Sequence, residues 1–308
     1  MKATILLAAY QGEKYLPALL ASLAAQSEPD FQVLMQDDGS TDGTAGILSD
    51  WAARDRRFRL AAEQGRHLGA VGNFLSLLRQ SEGGPVLFCD QDDLWEPRKL
   101  SVLLRAWEAA ATDPSLPLLI HSDAAIIDAE GRITAPSFFR LQGWDPDAVQ
   151  LSRLLVQNNA TGCMMMINRP LADLILRYGD PSRMFMHDWF IALTAAAFGR
   201  IIFLPEPLVR YRQHEGNAIG ASRSSLLRRG LAALSQREKA RKRIALTYTH
   251  AQAFRDAYGS ALPPEAAAVV DAYLALRTQP KLRRLLALRR LNCLMQSPVT
   301  RLGQLLFG

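Results

Sequence analysis

The sequence predicts an α/β fold in which a mostly parallel sheet is covered by helices and followed by a basic helical region. Two observations support this prediction. Strand-like and helix-like segments alternate along residues 4–110, a rhythm typical of parallel sheets. After about residue 217 the chain changes to Ala-, Leu- and Arg-rich segments with helical periodicity. With 308 residues, 49% of them hydrophobic, the chain can bury a sizeable core.

The fold prediction rests on the order of the predicted strands and helices along the chain. Helix-like segments repeat apolar residues every three or four positions, as Leu16, Leu19, Leu20 and Leu23 do. Ligands of parallel sheets bind beyond the carboxyl ends of the strands. In chain order, we predict a strand at 4–8, a helix at 15–26, a strand at 31–35, a helix at 44–53, a strand at 57–61, a helix at 71–79, a strand at 86–89 and a helix at 97–110.

The later part of the chain is more mixed. Its predicted elements are strands at 118–121, 125–127, 163–167 and 201–204, a helix at 188–198, and helical segments at 224–257 and 264–305.

Composition excludes several classes of protein. The cysteines Cys89, Cys163 and Cys293 are far apart and have no zinc-site spacing, which fits a reducing cytoplasm. Cys89 and Cys163 lie in apolar runs, so we expect both to be buried thiols. The sequence contains no uninterrupted apolar run of about 18 residues and starts with a strand, so we expect no spanning helix and no signal peptide. The GxGxxG fingerprint and the P-loop pattern are absent from it, which argues against dehydrogenases and nucleoside triphosphatases.

The first acidic constellation is the sequence DDGSTDGT at 37–44, between a predicted strand and a predicted helix. Asp, Gly and Ser form turns and cap helices, so one interpretation is a well-made turn. The adjacent acids Asp37 and Asp38 exceed what a turn needs, and a carboxylate there could accept the N–H of a uracil or thymine ring.

The second constellation is DQDD at 90–93, directly after a strand. In an extended chain Asp90 and Asp92 would share one face. Clustered carboxylates repel one another unless a cation joins them, and oxygen ligands suit Mg²⁺ or Mn²⁺. The alternative is a solvated acidic loop. Because both acidic turns end strands of one predicted sheet, we expect them to face the same crevice.

Six spaced motifs then carry a family resemblance. With the chain beginning AAYQGEKYL at 8–16, the two acidic motifs resemble the family-two inverting glycosyltransferases with the GT-A fold. Together with NATGC at 159–163, HDW at 187–189 and YRQH at 211–214, the set resembles the rhamnosyltransferase branch of that family. The resemblance covers about residues 1–217.

The resemblance implies roles on the nucleotide side. Tyr10 would stack on the base and Asp38 would bond its edge, although Tyr10 could equally be a core or rim aromatic. Gly69 would let the chain approach the nucleotide, or would merely cap a helix. The residues implied to bind the nucleotide sugar are Ala8, Tyr10, Asp37, Asp38, Gly69, Asn73, Asp90, Gln91 and Asp92.

The resemblance also implies a general base and a metal site. Asp188 would take the proton of the acceptor hydroxyl, or would only cap its helix. Many relatives have Glu-Asp where this chain has His187-Asp188. The acceptor-side residues would be Gly162, His187 and Trp189, and the metal ligands would be Asp92, Asp90 and His214. As a lone histidine, His214 could also be a surface or core residue.

We therefore expect a catalytic domain at 1–217, with a nucleotide-sugar half at 1–115 and an acceptor half at 116–217, and a helical basic region at 218–308. The expected donor is a dTDP- or UDP-type sugar, with rhamnose favoured by resemblance only. The expected acceptor is a hydroxyl of a cell-surface glycan or lipid-linked glycan. The alternative is a non-catalytic nucleotide-sugar or glycan binder.

The net charge of +6 is concentrated in the basic region, which is rich in Arg and Lys between Arg223 and Arg301. Its few aromatics argue against a nucleic-acid partner. Its leucines, interleaved with cations at 281–291, instead predict peripheral contact with the inner face of a membrane. The alternatives are a solvated helical face, or packing against the catalytic domain or a second subunit.

Overall fold

The computed structural model describes residues 2–214 and 232–307. Its strands form one nine-stranded mixed sheet flanked by helices, which confirms the predicted α/β class. The strands are β1 Ala3–Ala9, β2 Phe31–Asp37, β3 Phe58–Leu60, β4 Val86–Asp90, β5 Leu94–Trp95, β6 Leu118–Ile127, β7 Ile133–Ala135, β8 Met165–Ile167 and β9 Arg200–Arg212.

The helices that accompany these strands follow the predicted positions closely in the first half of the chain. They are α1 Leu16–Ala24, α2 Thr44–Arg54, α3 Gly69–Gln80, α4 Lys99–Ala110, α5 Phe138–Gln142, α6 Leu151–Leu154, α7 Arg169–Tyr178, α8 His187–Phe198, α9 Ala232–Tyr258, α10 Pro264–Ala275, α11 Lys281–Arg290 and α12 Pro298–Phe307.

The first half of the sheet is parallel, in the order β3-β2-β1-β4. The central strand β1 is almost fully buried, as expected for a parallel strand covered on both faces. Its last residues lie in register with both acidic constellations, because Ala9 pairs with Asp37 of β2 and Ala8 pairs with Asp90 of β4. The two acidic turns therefore share one edge of the sheet, as predicted.

The second half of the sheet is mixed. Strand β8 runs antiparallel to both of its neighbours, β4 and β6, whereas β6 and β9 are parallel. The two strands predicted at 118–121 and 125–127 form the single strand β6. The polar residues between them fit in the sheet because Asp123, buried within β6, accepts the backbone N–H of Phe138 at the start of α5.

The turn after β4 corrects one prediction. Asp90 and Asp92 would share one face only if the chain were extended through both residues. The strand instead ends at Asp90, and Gln91 and Asp92 form a turn before β5. The turn, and not strand alternation, sets the relative positions of these acids.

The basic C-terminal helices are part of the main core. Phe254 and Tyr258 of α9 are buried against Phe190 of α8, with ring centroids 5.6 Å and 5.8 Å away. Leu288 of α11 is also buried in the same apolar cluster. The alternative that the C-terminal region packs on the catalytic domain therefore accounts for one face of α9 and one face of α11.

Residues 215–231 lie outside the described part of the chain, and with them the expected domain boundary near 217 and the cations Arg223, Arg228 and Arg229. Cys89 and Cys163 are buried free thiols, as expected, and Cys293 is buried as well. Along 2–214 and 232–307, no helix has the length and apolar character needed to cross a bilayer.

Candidate active site

The acids that follow β4 form a dense cluster of negative charge. Asp93 is fully buried, and its carboxylate accepts the backbone N–H of Arg212 at 2.9 Å. Burial, followed by the charge of Asp92, raises the pKa of Asp93 to about 7. Burial also raises the pKa of Asp90 well above its ordinary value, and the charges of Asp93, Asp92 and Asp188 add to the effect. Ionising the whole cluster therefore requires nearby positive charge.

A buried lysine lies beside this cluster. Lys99, at the start of α4, is fully buried, with its Nζ 3.3 Å from the centroid of the Trp95 ring. The ammonium group donates a hydrogen bond to the carbonyl of Cys163 at 2.6 Å. Burial lowers the pKa of Lys99 to about 8, while its charge lowers the pKa values of Asp90 and Asp93. A single lysine offsets only part of the negative charge.

The donor groups at this edge fit a hard divalent cation. One carboxylate oxygen of Asp90, one of Asp93 and the sulfur of Cys163 lie within 4.8 Å of one another. Burial raises the pKa of the Cys163 thiol well above its ordinary value, so this sulfur is a poor ligand. The carboxylates of Asp90 and Asp93 supply oxygen ligands of the kind that Mg²⁺ and Mn²⁺ prefer, and a metal role for Asp92 stays a prediction.

His214 lies beside the expected metal ligand. Its Nε2 is 2.8 Å from Oδ2 of Asp92, and its ring centroid is 5.0 Å from that of Tyr15. The structure thus places His214 against Asp92, two positions after Asp90 in the chain, and the metal role of these three residues stays a prediction.

The two arginines near the end of β9 have structural contacts. Arg210 Nε donates to Glu96 Oε1 at 2.6 Å. Arg212 donates to the backbone carbonyls of Asp92 and Asp128, at 2.7 Å and 3.0 Å. Arg212 therefore fixes the acidic turn from its backbone side.

The nucleotide side of the crevice offers an aromatic surface. The Tyr10 side chain is 46% exposed, and its ring centroid lies 5.0 Å from that of His67. Asp37, by contrast, is buried and accepts hydrogen bonds from the backbone N–H and the hydroxyl of Ser40. The turn interpretation accounts for these contacts of Asp37.

Asp38 holds the loop before α3. Its two carboxylate oxygens accept the backbone N–H groups of Leu68 and Gly69 at 2.6 Å and 2.9 Å. Gly69 has a φ of +68°, a left-handed conformation that favours glycine. One turn further along α3, Asn73 is buried and donates to the Gln36 carbonyl at 3.5 Å. Asp38 thus shapes the loop that borders the crevice, and its bond to a base edge stays a prediction.

Gln91 ties the turn after β4 to Tyr10, just beyond the end of β1. Its side-chain amide accepts the N–H of Tyr10 and donates to the carbonyl of Tyr10, both at 2.6 Å. Gly12 leaves room for this arrangement, because a Cβ there would lie 2.5 Å from Gln91 Oε1. Ala8, opposite Asp90, lies beneath the same edge. Gln91 therefore positions the Tyr10 backbone.

Asp188 lies in the first turn of α8 and is 3% exposed. Its carboxylate accepts the backbone N–H groups of Trp189 at 2.6 Å and Gly162 at 3.2 Å. Burial raises its pKa to about 7, although these bonds and one from Asn158 act to lower it. The Gly162 N–H that it accepts belongs to the residue before Cys163, whose sulfur lies within 4.8 Å of an Asp90 carboxylate oxygen, so the two acids lie near each other. A carboxylate of this kind can exchange a proton near neutral pH.

The residues beside Asp188 are engaged in packing. His187 lies with its ring centroid 4.3 Å from that of Phe74, and burial lowers its pKa to about 3, so the imidazole is neutral. Gly162 is required there, because a Cβ would lie 2.9 Å from His187 Nε2. Trp189 is buried, and its indole N–H donates to the Leu154 carbonyl at 2.6 Å. Acceptor contacts from these three residues stay predictions.

Comparison with known proteins identifies the family. The profile of the family described as Glycosyl transferase family 2 matches residues 4–175, more than half of the chain.

The chain belongs to glycosyl transferase family 2.

Several curated proteins are similar to this family member. An uncharacterized protein of Mycobacterium tuberculosis is 29% identical over 209 residues, which are 67% of this chain and 57% of that protein. The O-antigen biosynthesis protein RfbC of Myxococcus xanthus is 31% identical over 233 residues, which are 73% of this chain and 17% of RfbC. The chain thus spans little more than half the length of the mycobacterial relative.

Solved structures confirm the GT-A type of fold for this family member. S. aureus TarS 1-349 in complex with UDP-GlcNAc has a TM-score of 0.57 at 21% identity, covering 90% of this chain and 72% of TarS. The mannosyltransferase PcManGT from Pyrobaculum calidifontis, in complex with GDP-Man and Mn²⁺, has a TM-score of 0.53 at 17% identity. That alignment covers 97% of this chain and 77% of PcManGT.

Sequence reasoning missed three residues of the site in this glycosyltransferase-family chain. Asp93 and Lys99 stand within or just after the DQDDLWEP motif, so their proximity to the acids was visible, but their complete burial was not. His67 matches none of the sequence motifs, although its ring centroid lies 5.0 Å from that of Tyr10. Its position depends on the loop that Asp38 holds, which the sequence alone did not define.

Proposed function

We propose that this chain is an inverting, metal-dependent glycosyltransferase that moves a sugar from a nucleoside diphosphate sugar to a hydroxyl of a cell-surface or lipid-linked glycan. The observation that carries the proposal is the pairing of two acidic groups. The cluster at Asp90 and Asp92 follows β4 at the end of the parallel strands. Asp188 accepts the N–H of Gly162, whose neighbour Cys163 has its sulfur within 4.8 Å of an Asp90 carboxylate oxygen.

The proposed reaction uses Asp188 as the base. The acceptor oxygen bonds to the anomeric carbon while the bond from that carbon to the diphosphate oxygen breaks. The diphosphate leaves with the electron pair, and the hydroxyl proton passes to the Asp188 carboxylate. The N–H groups of Gly162 and Trp189 hold this carboxylate, and its pKa of about 7 suits proton uptake near neutral pH.

The donor would lie across the strand ends. The exposed Tyr10 ring would stack on the base, next to His67. Gln91 would hold the Tyr10 backbone in place. A divalent cation held by Asp90, Asp92 and His214 would supply positive charge for the diphosphate.

The identity of the substrates extends the proposal. We propose a dTDP- or UDP-type donor, with rhamnose favoured by the sequence motifs. TarS with UDP-GlcNAc and PcManGT with GDP-Man support a nucleotide-sugar donor in general terms. RfbC is described as an O-antigen biosynthesis protein, which supports a cell-surface glycan acceptor. A lipid-linked acceptor would also require peripheral contact with the inner face of a membrane.

A panel of nucleotide sugars tests the proposal. We expect release of nucleoside diphosphate from one donor, dependent on Mn²⁺ or Mg²⁺ and accelerated by acceptor.

Asp92→Asn should abolish metal-dependent donor binding in calorimetry, because a neutral amide is a weak ligand for these ions. Asp113→Asn, at an exposed acid remote from the crevice, is the control.

Two outcomes would contradict the proposal. Donor binding by Asp92→Asn with wild-type metal dependence would rule out the metal assignment. Tight binding of a nucleotide sugar without release of nucleoside diphosphate, with every acceptor tried, would instead support the non-catalytic binder.

A further inference from the structure

The C-terminal helices expose an unusual number of large apolar side chains. Among the described residues of α11 and α12, five large apolar side chains are between 49% and 76% exposed. These residues are Leu282, Leu286, Val299, Leu302 and Leu306. Solvent-exposed apolar patches of this kind mark interaction sites.

The exposed residues form one ridge on each helix. Leu282 and Leu286 are four positions apart on α11, so they lie on the same face. Val299, Leu302 and Leu306 follow the same helical spacing on α12. We call these five residues the C-terminal surface.

The two ridges lie near each other. The Nζ of Lys281, at the start of α11, donates to the carbonyl of Leu306, near the end of α12, at 2.7 Å. This bond brings Leu282 and Leu306 to the same end of the helix pair. The opposite faces are occupied by the core, because Leu288 and Gln304 are buried.

Cations surround this surface, and acids are absent from its sequence. Residues 272–308 contain no Asp or Glu. On α11, Arg289 continues the spacing of Leu282 and Leu286, while Arg283 and Arg290 are exposed beside them. The Arg237 guanidinium of α9 lies 6.0 Å from the Phe307 ring, which brings the cation run of α9 to the edge of α12.

We propose that the C-terminal surface and its flanking arginines dock on an anionic lipid bilayer. A face of leucines bordered by cations matches an interface of acyl chains bordered by phosphate groups. A second copy of the chain is disfavoured, because a symmetric contact would bring like charges together. Nucleic acid is disfavoured because the exposed residues of the surface are aliphatic and offer no aromatic platform for bases.

This inference deepens the proposed function, since a lipid-linked acceptor would lie at such a membrane. It also corrects the sequence-based expectation in detail. The sequence predicts a membrane contact through the leucines at 282–291. In the structure, however, Leu288 is buried in the core. Helix α12 contributes three exposed apolar residues to the surface.

Vesicle flotation tests the inference with the full chain and without donor or glycan. The probe is vesicles of phosphatidylglycerol and phosphatidylcholine, compared with vesicles of phosphatidylcholine alone. We expect binding to the anionic vesicles at low salt and release at high salt. Because α9 packs into the core, point variants are preferable to a truncation.

Two variant sets separate the contributions of charge and apolar contact. Replacing Arg283, Arg289 and Arg290 with Gln removes three cations, which should weaken vesicle binding roughly a hundredfold. The set Leu282→Gln, Leu302→Gln and Leu306→Gln should weaken it at least about tenfold. Matched controls lie elsewhere on the catalytic domain, at exposed positions. They are Arg54→Gln with Arg56→Gln and Arg59→Gln, and Leu60→Gln with Leu116→Gln and Ile133→Gln.

The outcomes are distinguishable. Absence of binding by the wild type to anionic vesicles at low salt would overturn the inference, as would equal losses in the control variants. Conversion of a dimer to a monomer by the leucine set, with vesicle binding unchanged, would assign the surface to a second copy. Vesicle binding by a protein that releases no nucleoside diphosphate would contradict the proposed function and leave this inference intact.

Discussion

At the scale of single residues, Asp188 shows how burial prepares a group for proton transfer. Two backbone N–H groups hold its carboxylate, while burial raises its pKa to about 7. In a residue that only capped a helix, burial of the carboxylate would destabilise the folded state without serving catalysis. The capping contact and the proposed catalytic role are compatible, because the N–H of Trp189 belongs to the first turn of α8.

Asp188→Asn should lower turnover by about 10²–10⁴-fold with little change in donor affinity, because the base acts on the acceptor in the transition state. In the wild type, the rate should fall as pH decreases below about 7, since the carboxyl with a pKa of about 7 then becomes protonated. Initial rates across pH, with donor affinity from calorimetry, measure both effects.

The exposed acid Asp173, paired with Arg169, provides the control Asp173→Asn, which should keep the wild-type pH profile. Turnover of Asp188→Asn within a few-fold of wild type would show that another group takes the proton.

Lys99 is the second informative residue, since it is a fully buried cation beside several acids. Lys99→Met should lower the free energy of unfolding by about 1–3 kcal/mol, because the Cys163 carbonyl loses its donor. The deficit should grow as pH rises towards about 8, since Asp90 and Asp93 have raised pKa values and would then ionise without the Lys99 ammonium beside them.

Chemical denaturation at several pH values measures the effect of Lys99→Met, with exposed Lys2→Met as the control. Added Mn²⁺ should raise the melting temperature of Lys99→Met more than that of the wild type, because the ion would supply the missing charge. Equal shifts in the two proteins would show that Lys99 does not compensate the acidic cluster.

At the scale of elements, the crevice is assembled where β1, β2 and β4 end. The Gln91 side chain joins the turn after β4 to the backbone of Tyr10, just beyond β1. The register between β1 and β4 does not depend on the hydrogen bonds of the Gln91 side chain. Its effect is to fix the exposed Tyr10 ring relative to the acidic cluster.

Gly12→Ala should disrupt this connection, because the new Cβ would lie 2.5 Å from Gln91 Oε1 and force the amide away from Tyr10. We expect a loss of about 1–2 kcal/mol in the free energy of unfolding and weaker donor binding. Gly46→Ala is the matched control, since nothing lies within 4 Å of a Cβ there and alanine favours a helix. Unchanged donor affinity in Gly12→Ala would show that Gln91 has no part in positioning Tyr10.

At the scale of the whole molecule, the C-terminal helices have two different faces. One packs into the same core as α8, through residues such as Phe254 and Tyr258. The other exposes leucines beside arginines. The helix that carries the proposed base is therefore supported from behind by the region proposed to meet the membrane.

Phe254→Ala should lower the free energy of unfolding by about 3–5 kcal/mol, because it leaves a cavity next to Phe190. Leu282→Ala, at a position that is 73% exposed, should change it by less than about 0.5 kcal/mol. Denaturant unfolding measures both variants. Similar small effects in the two would mean that α9 contributes little to the stability of the domain.

The sequence by itself determined the alternation of strands and helices, the position of both acidic turns at one sheet edge, and membership of the family. These features depend on local periodicity and on short motifs, which are written in consecutive residues. The strand ends Asp37 and Asp90 were therefore predictable.

Only the tertiary structure decided which polar groups are buried and what they contact. Lys99 and Asp93 have no local signature of burial, because their environment comes from β9 and the segment at Cys163. The pKa of Asp188 likewise depends on Gly162, 26 positions away in the chain. The burial of one face of α11 and the exposure of the other also depend on tertiary packing. Periodicity places its leucines around the helix, but only packing selects Leu288 for the core and leaves Leu282 exposed.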